Sequence, residues 1–177
     1  MQLETERLIL RECAPTDVAG MHQWHSDPRY LDYPWNSMTP EDSAEMVDRF
    51  IGWKNECPRH RWQLAIVLMD AGVLIGTCGL RTDHIDATTG DVGYELDPVH
   101  WGHGYATEAL RRIIAFGFDQ GGLDEVTARV VCSNRRSIQV LERLDFRHRE
   151  DIPAGVGRDG RQWPERAEYV LQQPVSI

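Results

Sequence analysis

Apolar positions along the chain follow two rhythms, and each change of rhythm marks an element. Near the start, Leu8, Ile9 and Leu10 form a short apolar run that predicts a strand. The next stretch, APTDVAGMHQW, offers Thr16 or Asp17 as a helix start, with Val18, Met21 and His22 on one face. Three prolines make SDPRYLDYPWNSMTP a loop, and Tyr30, Tyr33 and Trp35 make it rich in aromatics. Thr39-Pro40-Glu41-Asp42 then reads as a helix start: a capping threonine, proline in the first turn, and acids against the dipole. That helix turns Val47, Phe50 and Ile51 inward and is expected to end near Pro58.

Strand rhythm follows. WQLAIVLMDAGVLIGTCGL predicts two strands around a tight turn at Asp70-Ala71-Gly72. TGDVGYEL alternates, placing Val92, Tyr94 and Leu96 on one face and Gly93 and Glu95 on the other. Ala106, Ala109, Leu110, Ile113 and Gly117 recur at helical spacing and predict a helix from about Ala106 to Phe118. EVTARVVC is a strand, NRRSIQVLERL a helix, and DFRHRE with ERAEYVLQ the closing strands. There is no internal repeat and no long linker, so residues 1–177 read as a single domain of α+β (mixed α/β) class. Most strands are expected to be antiparallel, with one parallel, right-handed strand–helix–strand crossover from Asp91 to Cys132.

Composition narrows the function. A hydrophobic share of 41% over 177 residues is enough for a core, and the net charge of −9 argues against non-specific binding to nucleic acid or anionic membrane. Cys13, Cys57, Cys78 and Cys132 form no C-x-x-C pair, so neither a zinc site nor a disulfide framework is suggested. His22 and His25 stand one helical turn apart without a third ligand, which makes them surface or packing histidines and leaves no metal call. MQLETERLIL is charged from Glu4 onward and no apolar run nears the ~18 residues of a membrane span, so a cytoplasmic location is expected.

The chemistry concentrates in HWGHGYATEAL, between a strand and a helix. Glycine costs conformational entropy, so a cluster at a helix entrance needs a reason: a tight turn, or close approach of an anion to bare backbone. Gly102, Gly104 and Ala106 let backbone N–H groups converge, Thr107 adds a hydroxyl, and Glu108 sits in the first turn. The stretch is neither a Walker A loop nor G-x-G-x-x-G, since Thr107 holds the third glycine position.

YELDPVHWGHGYATEAL followed by VCSNRRSIQVLERLDF resembles the GNAT superfamily of acyl-CoA-dependent N-acetyltransferases. The opening LETERLILRECAPTD looks like the branch that holds ribosomal-protein N-terminal acetyltransferases. The resemblance runs from about Leu3 to Leu171 and implies a twisted sheet of about six to seven strands with about four helices. It implies acetyl-CoA as co-substrate and direct attack of a primary amine, on a protein N-terminus or a small molecule, upon the thioester. A catalytically silent acyl-CoA-binding or regulatory domain is the alternative. Dimers are common in the fold, so a homodimer is also an expectation.

In the family's phosphate motif, Arg/Gln-x-x-Gly-x-Gly/Ala, Trp101, Gly104 and Ala106 fill the fixed positions, with Gly102, His103 and Tyr105 between them. Trp101 departs from the first position and His103 replaces the commoner lysine. The resemblance further places backbone near Leu96 at the acetyl carbonyl, Asn134 on the pantetheine arm and Ser137 as proton donor to the departing thiolate. Asn134 and Ser137 equally suit a helix N-cap and first turn. Glu95 is the candidate base, directly or through water, or else a solvated strand carboxylate, and Asp97 and Glu168 are weaker rivals. Tyr33 and Trp35 are candidates for an acceptor pocket or for packing within their own loop, and AGVGRDGRQWPER for its border or a plain turn. The family closes the last helix with Gly-Phe where this chain has Asp145-Phe146, which puts Asp145 at a position suited to the left-handed region.

Overall fold

The run from Gln63 to Val67, apolar from Leu64 onward, is buried throughout because helices cover its strand on both faces. In the computed structural model, which describes residues 1–30, 38–156, 160 and 162–174, this strand is β3 (Arg61–Leu68). Leu64 and Ile66 face one core cluster, whereas Ala65 and Val67 face another. Before it come β1 (Gln2–Glu4), β2 (Leu8–Glu12), a 3-10 turn at Pro15–Asp17, α1 (Val18–His25) and α2 (Pro40–Lys54). After it come β4 (Leu74–Arg81), β5 (Thr89–Leu96), α3 (Tyr105–Asp119), β6 (Glu125–Val131), α4 (Arg135–Glu142) and β7 (Arg147–Ile152). The ribbon strands β8 (Gly155–Val156) and β9 (Gln162–Trp163) precede β10 (Arg166–Gln172).

Eight strands form one sheet in the order β1-β2-β3-β4-β5-β6-β10-β7, one more than the upper expectation of seven. The additional strand is β1, three residues whose only apolar member, Leu3, is buried. So short a strand leaves no alternation to read. Every pairing is antiparallel except β5–β6, which is the expected parallel crossover.

The helices divide between the faces. Ala106, Ala109, Leu110, Ile113, Ile114 and Gly117 of α3 are buried against the sheet, as their spacing predicts. On the other face, α1 and α2 bury Met21, Trp24, Met46, Val47 and Phe50. The inward stripe of α1 is Met21, Trp24 and His25, the i, i+3, i+4 pattern, so His22 lies off the expected face and is only partly buried. Thr39 caps α2 as expected: its hydroxyl accepts from the Asp42 N–H at 3.1 Å, and the Asp42 carboxylate accepts from the Thr39 N–H at 2.9 Å. Such a cap stabilises by about 1 kcal/mol. The helix stops at Lys54, earlier than Pro58.

Beyond α4 the chain turns through Asp145 at φ +63°, which drops Phe146 into the core at 5% exposure. The Asp145 N–H bonds to Glu142 O and the Phe146 N–H to Leu141 O, so the turn closes the helix with its last carbonyls satisfied. A left-handed residue with a Cβ is disfavoured, and glycine removes that cost. Asp145→Gly is therefore expected to stabilise the fold by about 0.5–1 kcal/mol. A raised urea midpoint checks this; an unchanged or lowered one contradicts it.

Candidate active site

Pairing between β5 and β6 lasts only three residues, Thr89–Asp91 against Glu125–Thr127. Past that point β5 stays on β4 and β6 stays on β10, so the two strands open into a wedge. The Asp97 N–H bonds to Ile75 O on the β4 side. Strand alternation therefore turns the backbone groups of Tyr94 and Leu96 the other way, into the wedge. The Leu96 carbonyl there accepts from the Trp101 indole N–H at 2.8 Å. Of the backbone expected near the acetyl carbonyl, the Leu96 N–H therefore faces the wedge, whereas the Leu96 carbonyl is held by Trp101.

The glycine turn lies where β5 hands over to α3. After a 3-10 turn at Pro98–His100, Gly102 and Gly104 both adopt φ +82°, and Gly104 is the N-cap of α3. Both positions are in the region that favours glycine, so the turn cannot take ordinary side chains there without strain. Glu108 is the first residue of the turn to find an intrahelical acceptor, Gly104 O at 3.0 Å, which leaves the preceding N–H groups pointing outward. The Thr107 hydroxyl is buried with no hydrogen-bond partner among the described residues. Gly104 and Thr107 line an open cleft with Arg7, Arg111 and Arg143, opposed by Glu6 and Glu108.

Arg7 braces this cleft. Its guanidinium bonds the Glu108 carboxylate at 2.8 Å and His103 O at 3.1 Å, and lies over the Tyr105 ring. Burial alone would raise the Glu108 carboxyl, but bonds from Thr5 and Arg7 hold it below the ordinary carboxylate range. His103 does not reach outward: its Nδ1 lies 2.9 Å from Trp101 O and its ring stacks on Tyr105. Across the mouth of the wedge, the Arg136 guanidinium from α4 lies over the Trp101 ring at 4.6 Å.

Two polar groups flank the wedge on opposite faces of β5. On the α3–α4 side, the Tyr94 and Ser137 hydroxyls lie 3.1 Å apart. The Ser137 N–H donates to Asn134 Oδ1 at 3.1 Å, so the Asn134 oxygen caps α4 as a plain N-cap would. Burial pushes the Tyr94 phenol above its ordinary value, with the Ser137 bond pulling the other way. On the α1–α2 side, Glu95 Oε2 lies 3.0 Å from Nε2 of His25. About a third of the Glu95 side chain is exposed, whereas His25 is fully enclosed. Burial would raise the Glu95 carboxyl, but bonding and charge from His25, with lesser help from Trp24 and Tyr30, hold it below the ordinary range.

The rivals to Glu95 are occupied elsewhere. Asp97 accepts from the Val99 N–H and caps the 3-10 turn. Glu168 is 7% exposed and bonds Arg129 at 2.9 Å and Arg149 at 3.4 Å. Tyr33 and Trp35 lie outside the described residues. The partners Tyr94, His25, Arg7 and Arg136 carried no signal toward these contacts, because each meets its partner across a long stretch of chain. Among the described residues no group of three or more His, Cys, Asp or Glu could hold a metal ion, and no helix is long and apolar enough to cross a membrane.

Comparison with known proteins falls on the same architecture. The acetyltransferase (GNAT) domain model matches residues 7–147. The uncharacterised N-acetyltransferase p20 of Bacillus licheniformis is 31% identical over 148 residues, 81% of each chain. A GNAT-family acetyltransferase from Bacillus anthracis superposes with a TM-score of 0.81 at 21% identity, over 97% of this chain and 98% of that one. RimJ from Mycobacterium smegmatis, solved in complex with CoA-disulfide, superposes with a TM-score of 0.78 at 20% identity, over 97% of this chain and 86% of that one. With its split β5–β6 pair, its glycine turn and a domain match spanning most of its length, the chain belongs to the GNAT family and is an N-acetyltransferase.

Proposed function

We propose that the protein transfers the acetyl group of acetyl-CoA directly to a primary amine, on a protein N-terminus or a small molecule, in the wedge between β5 and β6. The observation that carries this reading is the placement of two proton-transfer candidates on opposite faces of a strand end that is paired on one side only. The coenzyme A held by the M. smegmatis neighbour supports the donor. The cradle fits its phosphates: two glycines at positive φ, an unpartnered Thr107 hydroxyl and three arginines against two glutamates. Residues 101–107 grip the pyrophosphate chiefly through backbone N–H groups, the arrangement that suits an anion at a helix N-terminus. The pantetheine arm then lies in the wedge against the N–H groups of Tyr94 and Leu96, beside Asn134.

The amine nitrogen approaches from the Glu95 side and forms the C–N bond with the acetyl carbonyl carbon. Its proton passes to Glu95, directly or through water, and the backbone N–H groups facing the wedge stabilise the developing oxyanion. As the C–S bond breaks, the thiolate takes a proton from Ser137, whose hydroxyl is backed by the Tyr94 phenol at 3.1 Å. That phenol is protonated at neutral pH and burial raises it further, so it can resupply the serine and regain its own proton from solvent.

Gly104→Val is expected to abolish acetyl-CoA binding in calorimetry while leaving the circular dichroism spectrum intact. A β-branched residue at φ +82° must distort the turn and place a side chain where the phosphate approaches. Unchanged affinity would place the cofactor elsewhere.

A panel of Ala- and Ser-initiated hexapeptides, spermidine and an aminoglycoside, read by thiol release from acetyl-CoA, identifies the acceptor class. With the fastest amine, Ser137→Ala is expected to lower kcat about 100-fold, the lower end for lost acid help, at unchanged acetyl-CoA affinity. Glu95→Gln is expected to lower kcat/KM across pH and to lose the acidic limb that belongs to Glu95, while keeping the rise that follows deprotonation of the amine. The Glu95 carboxyl lies below the ordinary range, so the wild type keeps its base ionised at neutral pH and gains rate as the amine deprotonates. Wild-type rates for both variants across pH would overturn the assignment of both residues.

A further inference from the structure

The buried imidazole behind Glu95 has no part in the reaction as described so far. His25 is among the largest fully buried side chains of the molecule, and it is a polar one. Burying a polar ring without partners is costly, so its two nitrogens must be accounted for. Nε2 lies 3.0 Å from Glu95 Oε2, and Nδ1 lies 3.5 Å from the Ser43 hydroxyl on α2. Ser43 in turn donates to Thr39 O at 3.1 Å, which anchors it to the capped start of α2. The ring is also held edge-on by Trp24 and tilted against Tyr30, at centroid distances of 5.7 and 5.4 Å. Every degree of freedom of the imidazole is thus taken up by α1, α2 and the residues just after α1.

We propose that His25 is the positioning residue for Glu95, its Nε2–H fixing the carboxylate rotamer toward the wedge. This rests on the reading of Glu95 as the base. Because a carboxylate accepts hydrogen bonds only, the nitrogen facing it carries the proton; Ser43, whose own proton goes to Thr39 O, lies 3.5 Å from the ring's other nitrogen and holds the ring in place by contact. Glu95 sits at the end of a strand that has lost one neighbour, so its backbone alone cannot fix where its two terminal torsions point. A fixed donor at 3.0 Å does. The groups that face His25 are Glu95 from β5, Ser43 from α2, Tyr30 from the segment after α1 and, beyond Ser43, His22 at 3.4 Å from the same hydroxyl. Glu95 is the anionic one among them.

Removing the donor strips away the largest of the groups that offset the partial burial of Glu95, and burial drives a carboxyl upward. The Glu95 side-chain titration, followed by carbon-detected NMR on glutamate-labelled protein, reads this without any acceptor. In His25→Leu the Glu95 midpoint is expected to move up by at least one pH unit. In His25→Gln, whose amide N–H can reach the position of Nε2, most of that shift is expected to be reversed. In thiol-release assays with the panel amine of highest kcat/KM, His25→Leu is expected to lose about 10- to 100-fold in kcat/KM. Its acidic limb should move to higher pH, with acetyl-CoA affinity unchanged and His25→Gln recovering most of the rate. Thermal unfolding of both variants separates this from loss of fold, and if His25→Leu does not fold, the wild-type-to-Gln comparison still decides: a Glu95 midpoint that rises as much in Gln as burial alone dictates rejects the proposal. An unshifted Glu95 midpoint in folded His25→Leu overturns it while leaving the base assignment standing. A Glu95→Gln variant with wild-type rates and pH profile overturns the base assignment and this proposal together, whereas the cofactor reading is judged separately by the Gly104→Val calorimetry.

Discussion

Beyond Asp91, β5 has a strand partner on one side only, and backbone N–H and C=O groups left inside a sheet must be satisfied by something. Most of the site follows from that requirement. The Trp101 indole takes the Leu96 carbonyl, which ties the glycine turn to the open strand end. The turn then delivers the N-terminus of α3 beside the opening, with Gly102 and Gly104 in conformations that leave backbone exposed. A linear thioester is the kind of molecule that fits such a gap, since a pantetheine arm carries amides that can complete a broken ladder.

The split strand also sorts the chemistry. Side chains alternate across a strand, so neighbours Tyr94 and Glu95 must emerge on opposite faces. One meets the first turn of α4 and the other the buried end of α1. On the proposed reading, donor handling and acceptor handling fall to different layers of the molecule, with the reacting atoms between them. Although the chain carries a net charge of −9, Arg7, Arg111 and Arg143 line the cleft against Glu6 and Glu108, and on the proposed reading they meet the anionic co-substrate.

Local features were legible in the sequence, and long-range ones were not. The Thr39 capping box, the hairpin at Asp70–Gly72, the α3 stripe and the left-handed Asp145 all depend on residues within a few positions of one another, and each is where the pattern puts it. The glycine turn belongs to the same class, because Gly102 and Gly104 meet their constraint through their own backbone. The ring of His25 is different. Its pairing with Glu95 spans 70 residues, and in α1 it presents only as a histidine one turn from another. Tyr94 and Ser137 are 43 residues apart, and alternation correctly places Tyr94 on the inner face without saying what it touches. Arg7 reaches Glu108 across 101 residues from a strap that looks like ordinary charged surface. His103 shows the converse: the motif puts it in the phosphate turn, but its side chain folds back to brace the turn itself.

The contact between His25 and Glu95 bears on how such a molecule can diversify. A layer that handles the acceptor separately from the donor is free, in principle, to be rebuilt for new amines by changing α1, α2 and their connection. In this chain that freedom stops at His25 and Ser43, which belong to the acceptor-side helices yet are in contact with the carboxylate of the central strand. A lineage that exchanged those helices for others would inherit Glu95 without its donor, and would have to find another before the strand end worked again.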